Sequence, residues 1–142
     1  MKLDSSWLIL ALLDAFFAAL AAIFAKMGLQ NVDSTLATAA RTLVMMVFML
    51  SVVLFTGKGS QVWTLTQREG LFIVLSGVAG ALSWILYFAS LKIGDASKVA
   101  AVDRSSLLFV IILSFLVLSE KLTVKTVLAG ILVFLGLLVI AL

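Results

Sequence analysis

The sequence predicts an all-α integral membrane protein that folds as a bundle of five transmembrane helices. Hydrophobic residues make up 64% of the 142 residues, charged residues make up only 12%, and the mean hydropathy is +1.30. A soluble domain carries roughly 25% charged residues. A soluble chain of this size could not bury so much apolar surface in one core. A lipid bilayer is the solvent that suits this composition.

Five apolar stretches are long enough to cross the hydrocarbon core of a bilayer, which takes about 20 residues of α-helix. A single membrane domain, residues 1–142, is therefore predicted to have spans at about residues 7–27, 35–56, 70–91, 98–118 and 123–142. Short polar links separate the spans, so consecutive helices are expected to be antiparallel. The sequence contains no Pro, and we expect each helix to be continuous.

Polar residues before several spans predict where the helices begin. Asp33 or Ser34 precedes the second span and is placed to accept hydrogen bonds from its free amides. Thr66 and Glu69 have the spacing of a capping box before the third span. Thr123 is placed to cap the fifth helix. These residues fix the predicted helix starts to within a turn.

Four charged side chains are predicted inside the spans, namely Asp14, Arg41, Asp103 and Arg104. A charge at the centre of a span costs about 2.5–3.5 kcal/mol, so these side chains should face protein or water. Arg41 and Asp103 lie roughly 8–9 Å below the same membrane surface, which favours their pairing. Asp14 enters from the other surface, near the opposite rim of a central cavity. The alternative is that these charges reach the headgroups and only fix helix packing.

One face of the third span carries small and hydroxyl-bearing side chains, which are Ser76, Gly80, Ser83, Tyr87 and Ser90. They fall within an arc of roughly 80° on a helix. Two interpretations stay open, because small residues allow close helix packing and hydroxyl groups line polar pathways. The Tyr87 phenol favours the pathway, since it needs a polar partner in lipid.

These patterns define the candidate site residues. Residues expected to bind substrate or protons are Asp14, Ser83, Trp84, Tyr87 and Asp103. Residues expected to act as counter-charges are Arg41 and Arg104. Glycines expected to allow close contacts between helices are Gly77, Gly80, Gly130 and Gly136.

Residue types that are absent from the sequence exclude most enzyme chemistry. There is no Cys and no His, which removes thiol nucleophiles, histidine bases and the usual zinc ligands. No phosphate-binding glycine loop and no catalytic serine motif occurs. We therefore expect no enzymatic activity, no metal and no cofactor. The ten Lys and Arg are scattered, which argues against a nucleic-acid surface.

The charges that flank the spans are balanced between the two membrane surfaces. Five Lys or Arg residues belong to each surface when Arg41 and Arg104 are included. Cytoplasmic loops normally hold the excess of positive charge. Two topologies stay open: a single orientation with a cytoplasmic N-terminus, or insertion in both orientations with pairing as an antiparallel homodimer.

The second half of the sequence resembles the EamA domain of the drug/metabolite transporter superfamily. The similar segments are YFASLKIGDASKVA at residues 87–100 and SEKLT at residues 119–123, followed by Gly130 and Gly136. Ala101 replaces a Pro that many members have, and Ser119 replaces a Gly. Most members have two such domains in ten spans, so the resemblance implies a half-transporter that needs a second copy.

The predicted function is a secondary transporter or exporter of a small metabolite or amphipathic cation. It would work by alternating access as an antiparallel homodimer in a bacterial-type inner membrane. One alternative is a flippase or accessory subunit for a lipid-linked sugar, which would need a different partner chain. Another is a membrane scaffold without transport activity.

Overall fold

The computed structural model describes residues 6–141, of which nearly all are helical and none forms a strand. Six α-helices and one 3₁₀ helix follow one another along the chain. They are α1 (Ser6–Gly28), α2 (Ser34–Phe55), the 3₁₀ helix (Lys58–Thr64), α3 (Gln67–Ile93), α4 (Ala96–Asp103), α5 (Ser106–Leu118) and α6 (Val124–Ala141). The prediction of an all-α membrane protein is confirmed.

Within residues 6–141, four segments are long and apolar enough to cross a membrane. They are Ser6–Gly28, Ser34–Phe55, Gln67–Ile93 and Ala96–Leu118, the last of which joins α4 and α5. The last apolar helix is shorter and covers Val124–Ile140. Its 17 residues span about 26 Å at 1.5 Å per residue, which is at the lower limit for a transmembrane helix. The fifth span therefore stays a prediction.

The predicted helix caps are confirmed at three starts. The Asp33 carboxylate accepts hydrogen bonds from the amides of Thr35 and Leu36, at 2.9 and 3.1 Å. The Thr66 amide donates to the Glu69 carboxylate at 2.8 Å, and the Glu69 amide donates back to the Thr66 hydroxyl at 3.3 Å. At α6, the Thr126 amide donates to the Thr123 hydroxyl at 3.2 Å. Each cap satisfies amides that the first helical turn leaves unpaired.

The expectation of a continuous fourth helix is wrong. The α-helical pattern stops after Asp103 and resumes at Ser106, with Arg104 and Ser105 in a turn. Across this turn the amides donate three residues back, as in Ser105 to Val102 at 2.9 Å and Leu107 to Arg104 at 3.1 Å. Such 3₁₀ bonding tightens a helix without breaking its path. The interruption occurs although the sequence contains no Pro.

The described residues divide into two compact units, one that ends at Ile93 and one that begins at Gly94. In the first unit, α3 packs against both α1 and α2. Its buried side chains lie near the carboxyl end of α3 and the link between α1 and α2, and are Ala22, Leu29, Thr38, Phe88 and Leu91. In the second unit, α6 packs against α4 and α5.

Candidate functional site

An arginine on α2 lies over an aromatic ring on α3, inside the first unit. The Arg41 Cζ atom is 3.5 Å from the centroid of the Trp84 ring and 5.6 Å from that of Phe88. The Trp84 ring makes edge-to-face contacts with Tyr87 and Phe88, at centroid distances of 5.6 and 5.9 Å. We call these four residues (Arg41, Trp84, Tyr87 and Phe88) the Arg41 cluster. The cluster holds a positive charge against a wall of aromatic rings.

Helix geometry accounts for the meeting of Arg41 and Trp84. Arg41 is seven residues past the start of α2, and Trp84 is nine residues before the end of α3. These positions lie about 10 and 13 Å from those helix ends. The two ends adjoin, because the Lys92 ammonium group donates a hydrogen bond to the Val32 carbonyl at 2.6 Å. Matching depth on neighbouring helices thus brings the guanidinium group to the indole ring.

The Arg41 charge is held by aromatic rings rather than by a carboxylate of its own unit. Among the residues described in the first unit, neither Asp14, Asp33 nor Glu69 forms an ion pair with Arg41. Arg41 is half-buried, and Tyr87 is close enough to interact with it electrostatically. A guanidinium group over an indole face is a cation–π contact, whose strength rises as water is removed.

Two lysines form hydrogen bonds at the end of the same unit where α1 and α3 finish and α2 begins. The Lys26 ammonium group donates to the Leu91 carbonyl at 2.5 Å, as Lys92 does to Val32. A positive side chain is favourable at a carbonyl near a helix carboxyl end, which is where Leu91 lies in α3. A pocket of about 310 Å³ lies between them, lined by Lys26, Leu29, Gln30, Leu91 and Lys92. Lys26 thus ties α1 to the end of α3.

The second unit contains an apolar cavity of about 240 Å³ beside Arg104. Its lining residues come from α4, the turn after it and α6, and are Ala101, Arg104, Val133, Gly136, Leu137 and Ile140. Among the described residues of this lining, Arg104 carries the only charge. Gly136 leaves room for the cavity, because no heavy atom lies within 4 Å of a Cβ built on it.

Comparison with known proteins decides the family. The sequence profile of the EamA-like transporter family matches residues 5–142. The chain belongs to the EamA-like transporter family. The resemblance found in the second half of the sequence is therefore confirmed, and the match also covers the first three spans. This EamA-like protein is a multi-pass membrane protein of a transporter family rather than of an enzyme family.

A curated relative supports the same assignment. This EamA-like chain is 42% identical over 120 residues to a protein of Sinorhizobium sp. named "Uncharacterized transporter in cobO 3'region". The alignment covers 84% of the chain and 85% of the relative. No solved structure matches the chain.

The structure brings together only part of the predicted site of this EamA-like protein. Trp84, Tyr87 and Arg41 form one cluster, whereas Ser83 is exposed on α3 and Asp14 is exposed on α1. Asp103 lies at the end of α4 in the second unit. The pairing of Arg41 with Asp103 and the binding roles of these residues stay predictions.

The glycines predicted to allow close helix contacts have different surroundings. Gly130 on α6 is buried, and a Cβ on it would lie 3.3 Å from Ile111 Cδ1 and 3.4 Å from Leu108 Cδ2. Helices α5 and α6 therefore approach closely at Gly130. No heavy atom lies within 4 Å of a Cβ built on Gly77 or Gly80. A packing role for those two residues and for Gly136 stays a prediction.

Sequence reasoning missed Phe88 and the stacking of Arg41 on Trp84. Phe88 is one of the few buried side chains, with 2% of its surface exposed. The depth comparison that favoured the pairing of Arg41 with Asp103 considered only charged partners. Applied to aromatic residues, the same comparison finds Trp84 and Phe88 at the depth of Arg41, since the start of α2 and the end of α3 share one surface.

Proposed function

We propose that this chain is one half of a secondary transporter that moves a small organic solute across a bacterial-type inner membrane. Two copies would pair in opposite orientations and work by alternating access. The Arg41 cluster is the observation that supports a solute path, because it keeps a positive charge inside an apolar span. Charged side chains inside spans typically mark substrate or ion pathways.

Exposed charges on the single chain support pairing with a second copy. Asp14, Asp103 and Arg104 are exposed on the chain. Asp14 lies eight residues into α1, at a depth of about 12 Å, and its short side chain cannot reach the headgroups. A second copy would give such groups a protein or water environment in place of lipid. The relative from Sinorhizobium has nearly the same length, which fits a transporter subunit of one domain.

The charge balance supports opposite orientations of the two copies. Lys and Arg number five at one surface and three at the other, or five at each when Arg41 and Arg104 are counted, which gives little bias for either topology. An antiparallel pair of identical bundles has the symmetry of the inverted repeats found in many secondary transporters. In this arrangement Asp14 and Asp103 would bind substrate or protons, with Arg104 as a counter-charge.

Labelling of single cysteines tests the topology, since the natural chain has none. Ser60→Cys places a thiol in the 3₁₀ helix, and Ser97→Cys places one at the start of α4. Both positions are exposed and lie on opposite sides of one span. In sealed vesicles, a membrane-impermeant maleimide added to one side should label both positions. Labelling of only one of the two positions would overturn the antiparallel homodimer.

Reconstitution tests transport separately from topology. The purified chain alone should accumulate or release a soluble solute in proteoliposomes. Activity that appears only when a second, different chain is added would favour the flippase or accessory subunit for a lipid-linked sugar.

A further inference from the structure

We infer that the Arg41 cluster binds the carboxylate group of an organic monoanion whose remaining part is apolar. The substrate class would then be carboxylic acids, including zwitterions, rather than amphipathic cations. This inference rests on the proposed function only in placing the cluster on the solute path. Binding itself can be measured without transport.

Stacking on Trp84 leaves the N–H groups at the edges of the Arg41 guanidinium group uncovered by the ring. At 3.5 Å from the Trp84 centroid, the guanidinium carbon is in contact with the face of the ring. The five N–H donors of a guanidinium group lie in its plane, so stacking on one face does not use them. A carboxylate accepts two parallel hydrogen bonds from such an edge. Contact with Trp84 also restricts the side-chain rotamers, which lowers the entropy cost of binding.

The single positive charge of the cluster favours a ligand that carries a single negative charge. Arg41 is the one cation of the cluster, and within the first unit no described carboxylate forms an ion pair with it. Lys26 and Lys92 are hydrogen-bonded to backbone carbonyls at the membrane surface. A dianion would keep an uncompensated charge away from water, which is costly. A cationic solute would be repelled by the guanidinium group.

The aromatic rings favour an apolar body on the bound acid. Trp84 and Tyr87 are half-buried beside the charge and keep surface that a ligand can contact, whereas Phe88 is buried and packs against Trp84. Aromatic walls with one well-placed polar group are typical of small-molecule sites.

The fluorescence of Trp84 can report binding once the other two tryptophans are replaced. Trp7 and Trp63 are 63% and 90% exposed, so Trp7→Phe and Trp63→Phe remove them at little structural cost. The protein in nanodiscs would be titrated with cyclohexylacetate, neutral cyclohexylacetamide and cyclohexylethylammonium. We expect a saturable change of Trp84 fluorescence with the carboxylate, and no saturable change with the ammonium compound at equal concentration.

Two substitutions of Arg41 and one control complete the test. Arg41→Gln should weaken carboxylate binding by roughly 10- to 100-fold, the value of a charge-assisted hydrogen bond. Arg41→Lys keeps the charge without the planar fork, and should bind more weakly while still preferring the carboxylate to the amide. Arg68→Gln, which removes an exposed arginine at the start of α3, should bind as the parent does.

Three results would overturn the inference. They are tighter binding of the ammonium compound than of the carboxylate, unchanged carboxylate affinity in Arg41→Gln, and no preference for the carboxylate in Arg41→Lys. Failure of transport in proteoliposomes with carboxylate binding intact would instead count against the proposed function.

Discussion

A double-mutant cycle on Arg41 and Trp84 measures how strongly the aromatic ring holds the charge. The perturbations are Arg41→Gln, Trp84→Leu and both together. Cation–π contacts contribute about 0.5–1 kcal/mol at exposed sites and about 2 kcal/mol when desolvated. Arg41 is half-buried, and its Cζ atom is 3.5 Å from the ring centroid. We therefore expect a coupling free energy of about 1.5–2 kcal/mol.

The chain offers a matched control for this cycle. Arg68 lies 5.9 Å from the Phe72 centroid, and Phe72 is 57% exposed. The corresponding cycle should give about 0.5 kcal/mol or less, because the contact is long and hydrated. Unfolding would be followed by circular dichroism during titration with sodium dodecyl sulfate in mixed micelles. A coupling between Arg41 and Trp84 no larger than that between Arg68 and Phe72 would refute the reasoning.

Three further predictions concern a turn, a cap and an acid. Ser119 has φ 56°, a left-handed conformation that strains a Cβ, so Ser119→Gly should raise the free energy of unfolding by about 0.5–1 kcal/mol. Ser76→Gly within α3 should lower it, and thermal unfolding measures both. The pKa of Asp33 is lowered from 3.8, first by the Leu36 amide. Stability from this cap is therefore present above pH 3.8 and is lost as the pH falls through the lowered pKa, so Asp33→Asn should reduce the loss of thermal stability on acidification below pH 3.8. Asp14→Asn should abolish coupled uptake in proteoliposomes with assembly intact, and unchanged uptake would remove Asp14 from the mechanism.

The parts of the fold that were predicted correctly depend on local chemistry. Asp33, Thr66 with Glu69, and Thr123 each cap a helix from within three residues of the amides that they satisfy. A local rule needs no knowledge of the rest of the chain. The four candidate spans of the described residues were predictable for the same reason, because the length and apolarity of a segment decide whether it can cross a bilayer.

Features that depend on hydrogen-bond detail or on neighbouring helices were missed. The turn at Arg104 and Ser105 contains no Pro and no Gly, so no residue type in the sequence indicates it. Ser119 was recognised as an unusual residue for its position, and its left-handed conformation supplies the reason. The contact of Arg41 with Trp84 required a comparison of depths across two helices, which charge pairing alone did not prompt.

The energetics of Arg41 explain how one guanidinium group can be stabilised by an aromatic ring and still bind an anion. An arginine inside a span costs up to about 2.5–3.5 kcal/mol, the value at the centre, and stacking on an indole ring offsets up to about 2 kcal/mol of it. About 1 kcal/mol is left for hydrogen bonds at the edge of the group. A permanent bidentate carboxylate would satisfy the charge completely and would have to be displaced by any solute. Trp84 stabilises and orients the charge without competing for its N–H donors, which is the condition under which a transported carboxylate can bind and leave.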